Sequence, residues 1–474
     1  MIRRHLALYF LSRGFAAVGN LVAVAVFTRL AGPEVYGHYV VMFAAALVIS
    51  GFSVQWIRYA FFNHYRSDED RDFFASFLAL IAASMLVTVA VAAIAFALDG
   101  ASFAFAAGAL LIGLGTALFE VITEVCRTRL EVGRASLALV LKASLVLALG
   151  TLALLFEQSA LALAAGIAVA HLVASIPAAI TLGRLIGGRP TWREARKLLV
   201  FGWPLMLSFG IGAFAQGIDR FYLASLEGAA VIGAYGALSD IVRASFTVLA
   251  ESVSLATVPL AKRQFSAGER GEALRTLNHA FRLLLVVGTF MTAAFLVFAP
   301  VLLPVIFPPS FLEGSETLLP PILVASFLLV VRNVYLAQII YFTRASQLEL
   351  VSALILAVVN LVLCAVLIPR HGALGAALAF LGGQVAAGLF FLLAGRGEFR
   401  MPTPWRPVVG MALLGIALTL AGQAVSGWQF PLPTILAAQA GLFVLALAIT
   451  GLGFGLRPRT LLAEGSAVLA AVRR

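Results

Sequence analysis

Long apolar runs follow one another along almost the whole chain, with short polar segments between them. A helix needs about 20 mostly apolar residues to cross the hydrocarbon core of a bilayer, and each run has about that length. The runs lie near residues 6–29, 36–58, 73–98, 102–126, 135–156, 160–184, 198–226, 231–259, 280–299, 317–343, 347–368, 372–395, 406–424 and 434–456. The pattern therefore predicts an all-α polytopic membrane protein with about fourteen transmembrane helices.

Composition supports a membrane protein and narrows the chemistry. The chain is 62% hydrophobic and 12% charged, whereas a soluble domain is nearer half apolar and a quarter charged. The formal charge of +11 would suggest nucleic acid in a soluble protein, but here the basic residues lie between apolar runs, so we expect no nucleic-acid partner. Cys126 and Cys364 have no ligand-like spacing, the six histidines are scattered, and no Walker motif is present. We expect no metal, no cofactor and no direct use of ATP.

The positions of the lysines and arginines predict the orientation, because cytoplasmic loops carry an excess of both. When the N-terminus is placed in the cytoplasm, 26 of the 33 fall in cytoplasmic segments, and two, Arg29 and Arg370, fall in outer loops. The other five lie within spans. This distribution predicts a multi-pass protein of the bacterial cytoplasmic (inner) membrane, with an even number of spans and both termini in the cytoplasm.

An offset of 196 residues aligns two stretches of the chain. Leu11-Ser12-Arg13-Gly14 aligns with Leu207-Ser208-Phe209-Gly210, Leu30-Ala31-Gly32 with Leu226-Glu227-Gly228, and Gly37-His38-Tyr39 with Gly233-Ala234-Tyr235. The polar residues Asn20 and Gln216 also correspond. The offset equals six predicted spans, so both copies would point the same way across the membrane. Parallel repeats of this kind are a transporter architecture.

The repeat predicts two parallel six-helix lobes with a cleft between them. Residues 1–190 would form the N-terminal lobe and residues 191–397 the C-terminal lobe, with the charged stretch 187–197 as their cytoplasmic linker. Residues 398–474 would add two transmembrane helices and a cytoplasmic tail.

Several segments resemble a known family. The stretch from Arg29 to Tyr39 (Arg-Leu-Ala-Gly-Pro-Glu-Val-Tyr-Gly-His-Tyr) resembles the first-loop signature of the polysaccharide flippases. Phe201-Gly202-Trp203-Pro204, Gly217-Ile218-Asp219-Arg220 and Gly233-Ala234-Tyr235 are similar to their seventh helix and its exit. The likeness covers most of residues 1–396. It implies the MATE-like fold of the MOP superfamily, which contains O-antigen flippases, lipid II flippases and MATE-type multidrug exporters.

Basic residues within spans are the candidates for binding a substrate. An arginine at the centre of a membrane helix costs about 2.5–3.5 kcal/mol on insertion scales, so it needs a partner or a wet cavity. Arg243 and Arg332 lie near mid-membrane, roughly 18 and 22 Å deep at 1.5 Å per residue. Arg13 and Lys142 lie nearer the cytoplasm and could instead snorkel to the headgroups. Arg220 is the fifth basic residue within a span, and Asn20 and Gln216 are the polar residues matched by the repeat. The candidate substrate-binding residues are therefore Arg13, Asn20, Lys142, Gln216, Arg220, Arg243 and Arg332.

Acidic residues in the spans qualify this interpretation. Lys142 could pair with Glu120 or Glu124 on the preceding helix, and Asp240 could pair with Arg243 three residues further along the same helix. Asp219, Asp240 and Glu251 are candidates for binding a proton or cation that drives transport, or for serving as structural counter-ions.

These features favour a flippase over an enzyme. A saccharide on a polyprenyl diphosphate must carry sugars and an anionic diphosphate across about 30 Å of hydrocarbon, and the planar fork of arginine holds phosphate oxygens bidentately. We expect transport of such a molecule by alternating access for surface polysaccharide, lipopolysaccharide, O-antigen or exopolysaccharide synthesis. Its partners would be the lipid-linked saccharide and membrane lipids, with glycan polymerase machinery as a further candidate.

Three alternatives remain open at the level of sequence. A lipid II flippase and a MATE-type multidrug exporter would share the fold, although an exporter of organic cations would favour an acidic, aromatic cavity. A membrane saccharide polymerase or ligase would need catalytic residues in a sizeable outer loop. The longest predicted outer loop, about residues 300–316, offers only Glu313 and Glu316.

Overall fold

The computed structural model describes residues 2–65, 70–99, 102–129, 131–183, 187–342, 347–394, 399–428 and 430–453, and within these ranges it contains helices and no β-strand. The α-helices in the described residues are α1 (Ile2–Ser50), α2 (Trp56–His64), α3 (Arg71–Asp99), α4 (Phe103–Thr128), α5 (Val132–Phe156), α6 (Ala160–Leu182), α7 (Trp192–Glu227), α8 (Ala229–Ser266), α9 (Arg270–Ile306), α10 (Ser315–Val330), α11 (Gln347–Ala394), α12 (Trp405–Ser426) and α13 (Leu432–Gly453). The predicted all-α class is confirmed. The predicted cytoplasmic tail after residue 453 lies outside the described residues.

Twelve helices in the described ranges are long and apolar enough to cross a membrane. Two of them, Leu11–His64 with 54 residues and Gln347–Ala394 with 48 residues, are more than twice as long as one crossing requires. Each contains a glycine with positive φ, Gly32 at 70° and Gly372 at 54°. Glycine tolerates this conformation because it has no Cβ. If each long helix crosses twice around its glycine, the protein has fourteen crossings, and that number stays a prediction.

Two helices are irregular in mid-course. A π-helical segment, Gly51–Gln55, joins α1 to α2, so the helix predicted to end near residue 58 continues to His64. The span predicted over 317–343 is α-helical only as far as Val330 and continues as a π-helix, Val331–Tyr335, and a 3-10 helix, Leu336–Tyr341. Such departures from α-geometry inside helices occur frequently at functional sites.

The two aligned stretches of the sequence pack against each other reciprocally. Gly32 and Gly228 occupy equivalent repeat positions and have nearly the same backbone, with φ of 70° and 85°. A Cβ on Gly37 would overlap the carbonyl oxygen of Ala229, and a Cβ on Gly233 would overlap that of Pro33. Because Ala229 and Pro33 are also 196 positions apart, the two contacts are copies of one another. This is the geometry expected of two halves related by an approximate two-fold axis.

Helix α1 lies between the two halves. It packs against α4 and α5 on one side and against α7 and α8 on the other, whereas α12 packs on α9 and α13 on α12 at the periphery. The lobe boundaries near residues 190 and 397 remain predictions. The end of the molecule that contains the glycine contact is called the Gly37 end, and the opposite end of the molecule, toward which Arg13 lies on α1, is called the Arg13 end. In the predicted topology the Gly37 end faces outward.

Arg29 connects α1 to the end of α9 at the Gly37 end. Its guanidinium donates to the carbonyl oxygens of Val305, at 2.7 Å, and Ile306, at the end of α9. The last carbonyls of a helix have no partner within it and carry partial negative charge, so a cation is favourable there. The contact ties α1 to the second half of the chain.

Candidate functional site

A cavity of about 630 Å³ lies between the two halves. Its walls come from the second part of α1, the Gly51–Gln55 segment, α2, α4, α7, α8, the Val331–Tyr335 segment and α11. Both π-helical segments therefore contribute to the lining. The volume equals that of about twenty liquid waters and lies within the ~300–1,000 Å³ range of ligand pockets.

The structure brings most of the predicted site residues to this cavity. Gln216, Arg220, Arg243 and Arg332 line it, as do the carboxylates Asp240 and Glu251. Arg13 forms an ion pair with Glu251, which links α1 to α8 toward the Arg13 end with both side chains partly exposed. Asn20 and Lys142 do not line it, and Asn20 is exposed.

The hairpin of α7 and α8 supplies the charged wall. Arg220 pairs with Asp240, and Arg243 donates to Asp219 at 3.1 Å. The pair of Asp240 with Arg243, which the spacing along α8 allowed, is therefore not the one that forms. Both ion pairs join α7 to α8, so the position of one helix against the next, and not the spacing along one helix, decides which charges meet.

Asp219 lies behind the cavity wall and is fully buried. Its Oδ2 accepts from the hydroxyl of Tyr235 at 2.6 Å and from Arg243, while its Oδ1 has no hydrogen-bond partner within the described residues. The guanidinium of Arg243 also lies 3.8 Å from the ring centroid of Phe380. Burying a carboxylate with one unsatisfied oxygen costs free energy. The ion pair with Arg243 offsets part of that cost for Asp219.

Arg332 differs from the other cavity arginines. It is buried, and it donates to the neutral side chains of Gln384 at 3.1 Å and Ser352 at 3.3 Å. Among the described residues no carboxylate lies within ion-pair distance of it. Glu349 also lines the cavity, and its Oε2 accepts no hydrogen bond from the described residues. The site thus combines a guanidinium without a bonded counter-ion and a carboxylate with free acceptor capacity.

The charges on the described cavity wall balance. The arginines are Arg58, Arg220, Arg243 and Arg332, and the carboxylates are Glu120, Asp240, Glu251 and Glu349. A neutral wall rich in charged groups offers donors and acceptors without a strong net field. Arg332 is the arginine of this wall that no described carboxylate contacts directly, and Glu349 on the same wall balances its charge.

The sequence matches a family model described as "Polysaccharide biosynthesis protein" over residues 2–265, more than half of the chain. The chain belongs to this polysaccharide biosynthesis protein family. The family resemblance identified from the sequence motifs is thus confirmed. None of the curated proteins matches it in sequence.

Solved structures resemble this family member across most of its length. A lipid II flippase MurJ in an inward closed conformation is 12% identical, with a TM-score of 0.75, and the match covers 94% of this chain and 98% of that one. An inward-facing multidrug resistance MATE family transporter of the MOP superfamily is 14% identical, with a TM-score of 0.56, covering 86% and 95%. A mutant of the Vibrio cholerae MATE transporter VcmN is 15% identical, with a TM-score of 0.57, covering 83% and 97%.

These comparisons establish the family and the fold. The fold is that of the MurJ and MATE transporters, and twelve described helices are long and apolar enough to cross a membrane. The polysaccharide biosynthesis protein is accordingly a multi-pass membrane protein with a transporter fold.

The pair of Arg58 with Glu120 is one of the charged pairs of this polysaccharide biosynthesis protein that were not predicted from the sequence. Arg58 was assigned to the cytoplasmic end of a span, but α2 continues past it, and Arg58 pairs with Glu120 on the cavity wall. Asn333 and Glu349 were also missed. The sequence contained one signal for the position of Arg58. Arg58 is a single charge between the apolar runs 48–57 and 59–62, and this pattern indicates a helix that continues beyond its most apolar part.

The predicted partners of Lys142 are wrong in the same family member. Glu120 pairs with Arg58, and Glu124 pairs with Arg127 at 3.5 Å. The ammonium of Lys142 instead lies 5.1 Å from the ring centroid of Phe119. The π-face of an aromatic ring attracts a cation when little water competes, so this contact substitutes for the carboxylate.

This arrangement predicts that Lys142→Ala and Glu124→Ala act independently. Groups that share no partner add their effects on stability to within about 0.5 kcal/mol. Thermal unfolding of the two single variants and the double variant in one detergent measures this. A double variant that is more stable than either single variant would show that the two residues form a direct pair.

Proposed function

We propose that the protein flips a polyprenyl-diphosphate-linked saccharide across the cytoplasmic membrane by alternating access. The tail of such a lipid can stay in the bilayer, but its headgroup must cross about 30 Å of hydrocarbon. The cavity between the halves supplies a polar route for that headgroup, and it is the observation that carries the proposal.

Arg332 is the residue we assign to the diphosphate. Its partners are an amide and a hydroxyl, so a phosphate oxygen would meet a guanidinium that no carboxylate neutralises by direct contact. Arginine bonds to phosphate through two parallel N–H donors, and such charge-assisted bonds are about twice as strong as neutral ones.

The rest of the wall suits a saccharide. Gln55, Gln216 and Asn333 add neutral donors and acceptors beside the paired charges, which matches sugar hydroxyls that both donate and accept. The wall therefore favours a headgroup with one anionic and one uncharged part over an organic cation.

Asp240 is the residue we favour for coupling to a proton or cation. It is partly exposed at the cavity and holds Arg220, so binding a proton there would release the guanidinium for phosphate. Asp219 is fully buried and does not line the cavity, and Glu251 pairs with Arg13, which does not line it either, so a proton on Glu251 would release no guanidinium of the wall. Asp219 therefore serves as a structural counter-ion in this proposal.

The reciprocal glycine contact suggests how access alternates. The contact closes the Gly37 end in this conformation, and separating the two halves there would open the cavity on that side. Rocking of repeats around a fixed site is a general mode of transport. The proposal places the Gly37 end outside the cell, the Arg13 end in the cytoplasm, and both termini in the cytoplasm of an inner membrane.

The role of Arg332 can be tested in a strain that lacks the chromosomal gene. We expect Arg332→Ala to lose surface glycan at normal protein levels and Arg332→Lys to restore a part, because lysine keeps the charge without the fork. The control is Arg275→Ala, whose side chain is 78% exposed. Normal glycan in the Arg332→Ala strain would contradict the assignment.

Lipid II is the second candidate substrate, because the lipid II flippase MurJ matches nearly the whole chain with a TM-score of 0.75. Rescue of a strain depleted of its own lipid II flippase would identify that substrate. Failure to rescue growth, together with restored surface glycan in the deletion strain, would assign the protein to another lipid-linked saccharide.

A further inference from the structure

A second groove, of about 850 Å³, lies at the Arg13 end, outside the central cavity. It runs between His64, at the end of α2, and the first turns of α7. The wall on α7 contains Arg193, Arg196 and Val200. No step of the proposed transport cycle uses these residues.

The face of α7 that borders the groove is amphipathic along its length. Arg193, Arg196 and Val200 are three or four residues apart and so lie on one side of the helix. The basic side chains come first, and the apolar Val200 and Phe201 follow toward the membrane. Trp192 is 72% exposed at the start of the helix. Tryptophan and arginine beside an apolar stretch are typical of the boundary between headgroups and acyl chains.

Two of the cations are available to a ligand. Lys197 is held by both carboxylate oxygens of Glu194 at 2.6 Å. Arg193 and Arg196 are exposed and form no ion pair with any described residue. Two free guanidiniums in one groove constitute a site for a doubly hydrogen-bonded anion such as a phosphate.

The start of α7 beside the groove is anchored to neighbouring helices. The hydroxyl of Ser76 on α3 accepts from the backbone N–H of Thr191 at 2.9 Å, and Asp72 accepts from the N–H of Arg189 at 2.8 Å. The ring of His64 packs edge-on against Phe201 at 5.2 Å between centroids. These contacts hold the start of α7 against α2 and α3, so the cations are pre-positioned.

We propose that this groove binds an anionic glycerophospholipid of the leaflet at the Arg13 end. Charge complementarity selects the phosphate headgroup, and exposed Trp192, Val200 and Phe201 receive the start of the acyl chains. A water-soluble anion would contact the arginines but would bury no apolar surface against these side chains. The lipid would touch α2 of the first half and α7 of the second, and so it would stabilise the arrangement of the halves seen here.

The test is a titration of the purified full-length protein, followed by native mass spectrometry, with phosphatidylglycerol, phosphatidylcholine or inorganic pyrophosphate. We expect phosphatidylglycerol to bind the double variant Arg193→Gln, Arg196→Gln about 30-fold more weakly than wild type. This corresponds to about 1 kcal/mol for each basic residue near a membrane surface. The variant Trp192→Ala should also weaken phosphatidylglycerol binding. Phosphatidylcholine should bind all forms weakly.

The matched control is Arg134→Gln with Arg275→Gln, which removes the same charge from two arginines that already pair with glutamates. This control should bind phosphatidylglycerol as wild type does. Equal losses in the control and in the groove variant would reduce the effect to net charge and overturn the site. Tight pyrophosphate binding that is indifferent to Trp192→Ala would overturn the lipid assignment. None of these outcomes depends on the transported substrate.

Discussion

Replacing Gly37 by alanine is expected to stop transport while leaving insertion intact. The new Cβ would overlap the carbonyl oxygen of Ala229, and its next neighbours are also backbone atoms, which no rotamer change can move. Overpacking of this kind costs about 1–3 kcal/mol. The conformation that closes the Gly37 end would then be populated roughly 5- to 150-fold less, and a cycle that must pass through it would slow by a similar factor.

The measurement for Gly37→Ala is the accessibility of the cavity from the Gly37 end. A cysteine introduced as Ala213→Cys on the cavity wall should react faster with an impermeant maleimide from that side in the Gly37→Ala background. The native cysteines Cys126 and Cys364 are buried. Gly388→Ala, where a Cβ meets nothing within 4 Å, is the control. Unchanged accessibility and unchanged transport in Gly37→Ala would show that the glycine contact is not the closure.

Removing the carboxylate of Asp219, behind the cavity wall, is expected to destabilise the protein more than removing any carboxylate that lines the cavity. Asp219→Ala leaves Arg243 partly buried without its counter-ion and Tyr235 without its acceptor. Breaking a buried ion pair by removing one partner costs about 3–5 kcal/mol. Asp219→Asn should cost less, since an amide oxygen can still accept from Tyr235.

Glu251→Ala provides the comparison for Asp219→Ala. Glu251 also pairs with an arginine, but the side chains of the pair are 33% and 40% exposed, and pairs of this exposure contribute roughly 0–1 kcal/mol. Thermal unfolding in a single detergent should therefore rank Asp219→Ala far below Glu251→Ala in apparent melting temperature. Equal melting temperatures would show that water reaches Asp219 and that the counter-ion role is wrong.

Much of the fold could be predicted from the sequence because lipid imposes one rule on every span. A run of apolar residues of the right length becomes a helix, so the positions of most helices followed from hydropathy. The repeat also followed, because Gly32 and Gly228 must both adopt backbone that favours glycine. What failed was the local geometry around Arg332. Hydropathy places residues 331–341 within one mostly apolar run despite Arg332, Asn333 and Gln338, and it does not distinguish an α-helix from the π- and 3-10 segments found there.

Several of the candidate residues lie together at the cavity, but the ion pairs that they form were not predicted. Hydropathy located Arg220, Arg243 and Arg332 because a charge within an apolar run stands out. Which carboxylate meets which arginine depends on the angle and offset of neighbouring helices, which spacing along one helix does not contain. Arg220 lies eight residues before Gly228 and Asp240 twelve residues after it, so the turn between α7 and α8 does not by itself predict their pair. The pair of Arg58 with Glu120 joins helices far apart in sequence, and no local rule predicts it.

The most direct test of the account is flipping by the purified protein alone. Proteoliposomes would carry a fluorescent polyprenyl-diphosphate saccharide, and an impermeant quencher would report the fraction left on the outer face. The account predicts that lipid reaches the quencher at least tenfold faster in vesicles with the wild-type protein than in empty vesicles. With Arg332→Ala the rate should equal that of empty vesicles. Wild type and Arg332→Ala flipping at the same rate, or neither exceeding empty vesicles, would contradict it.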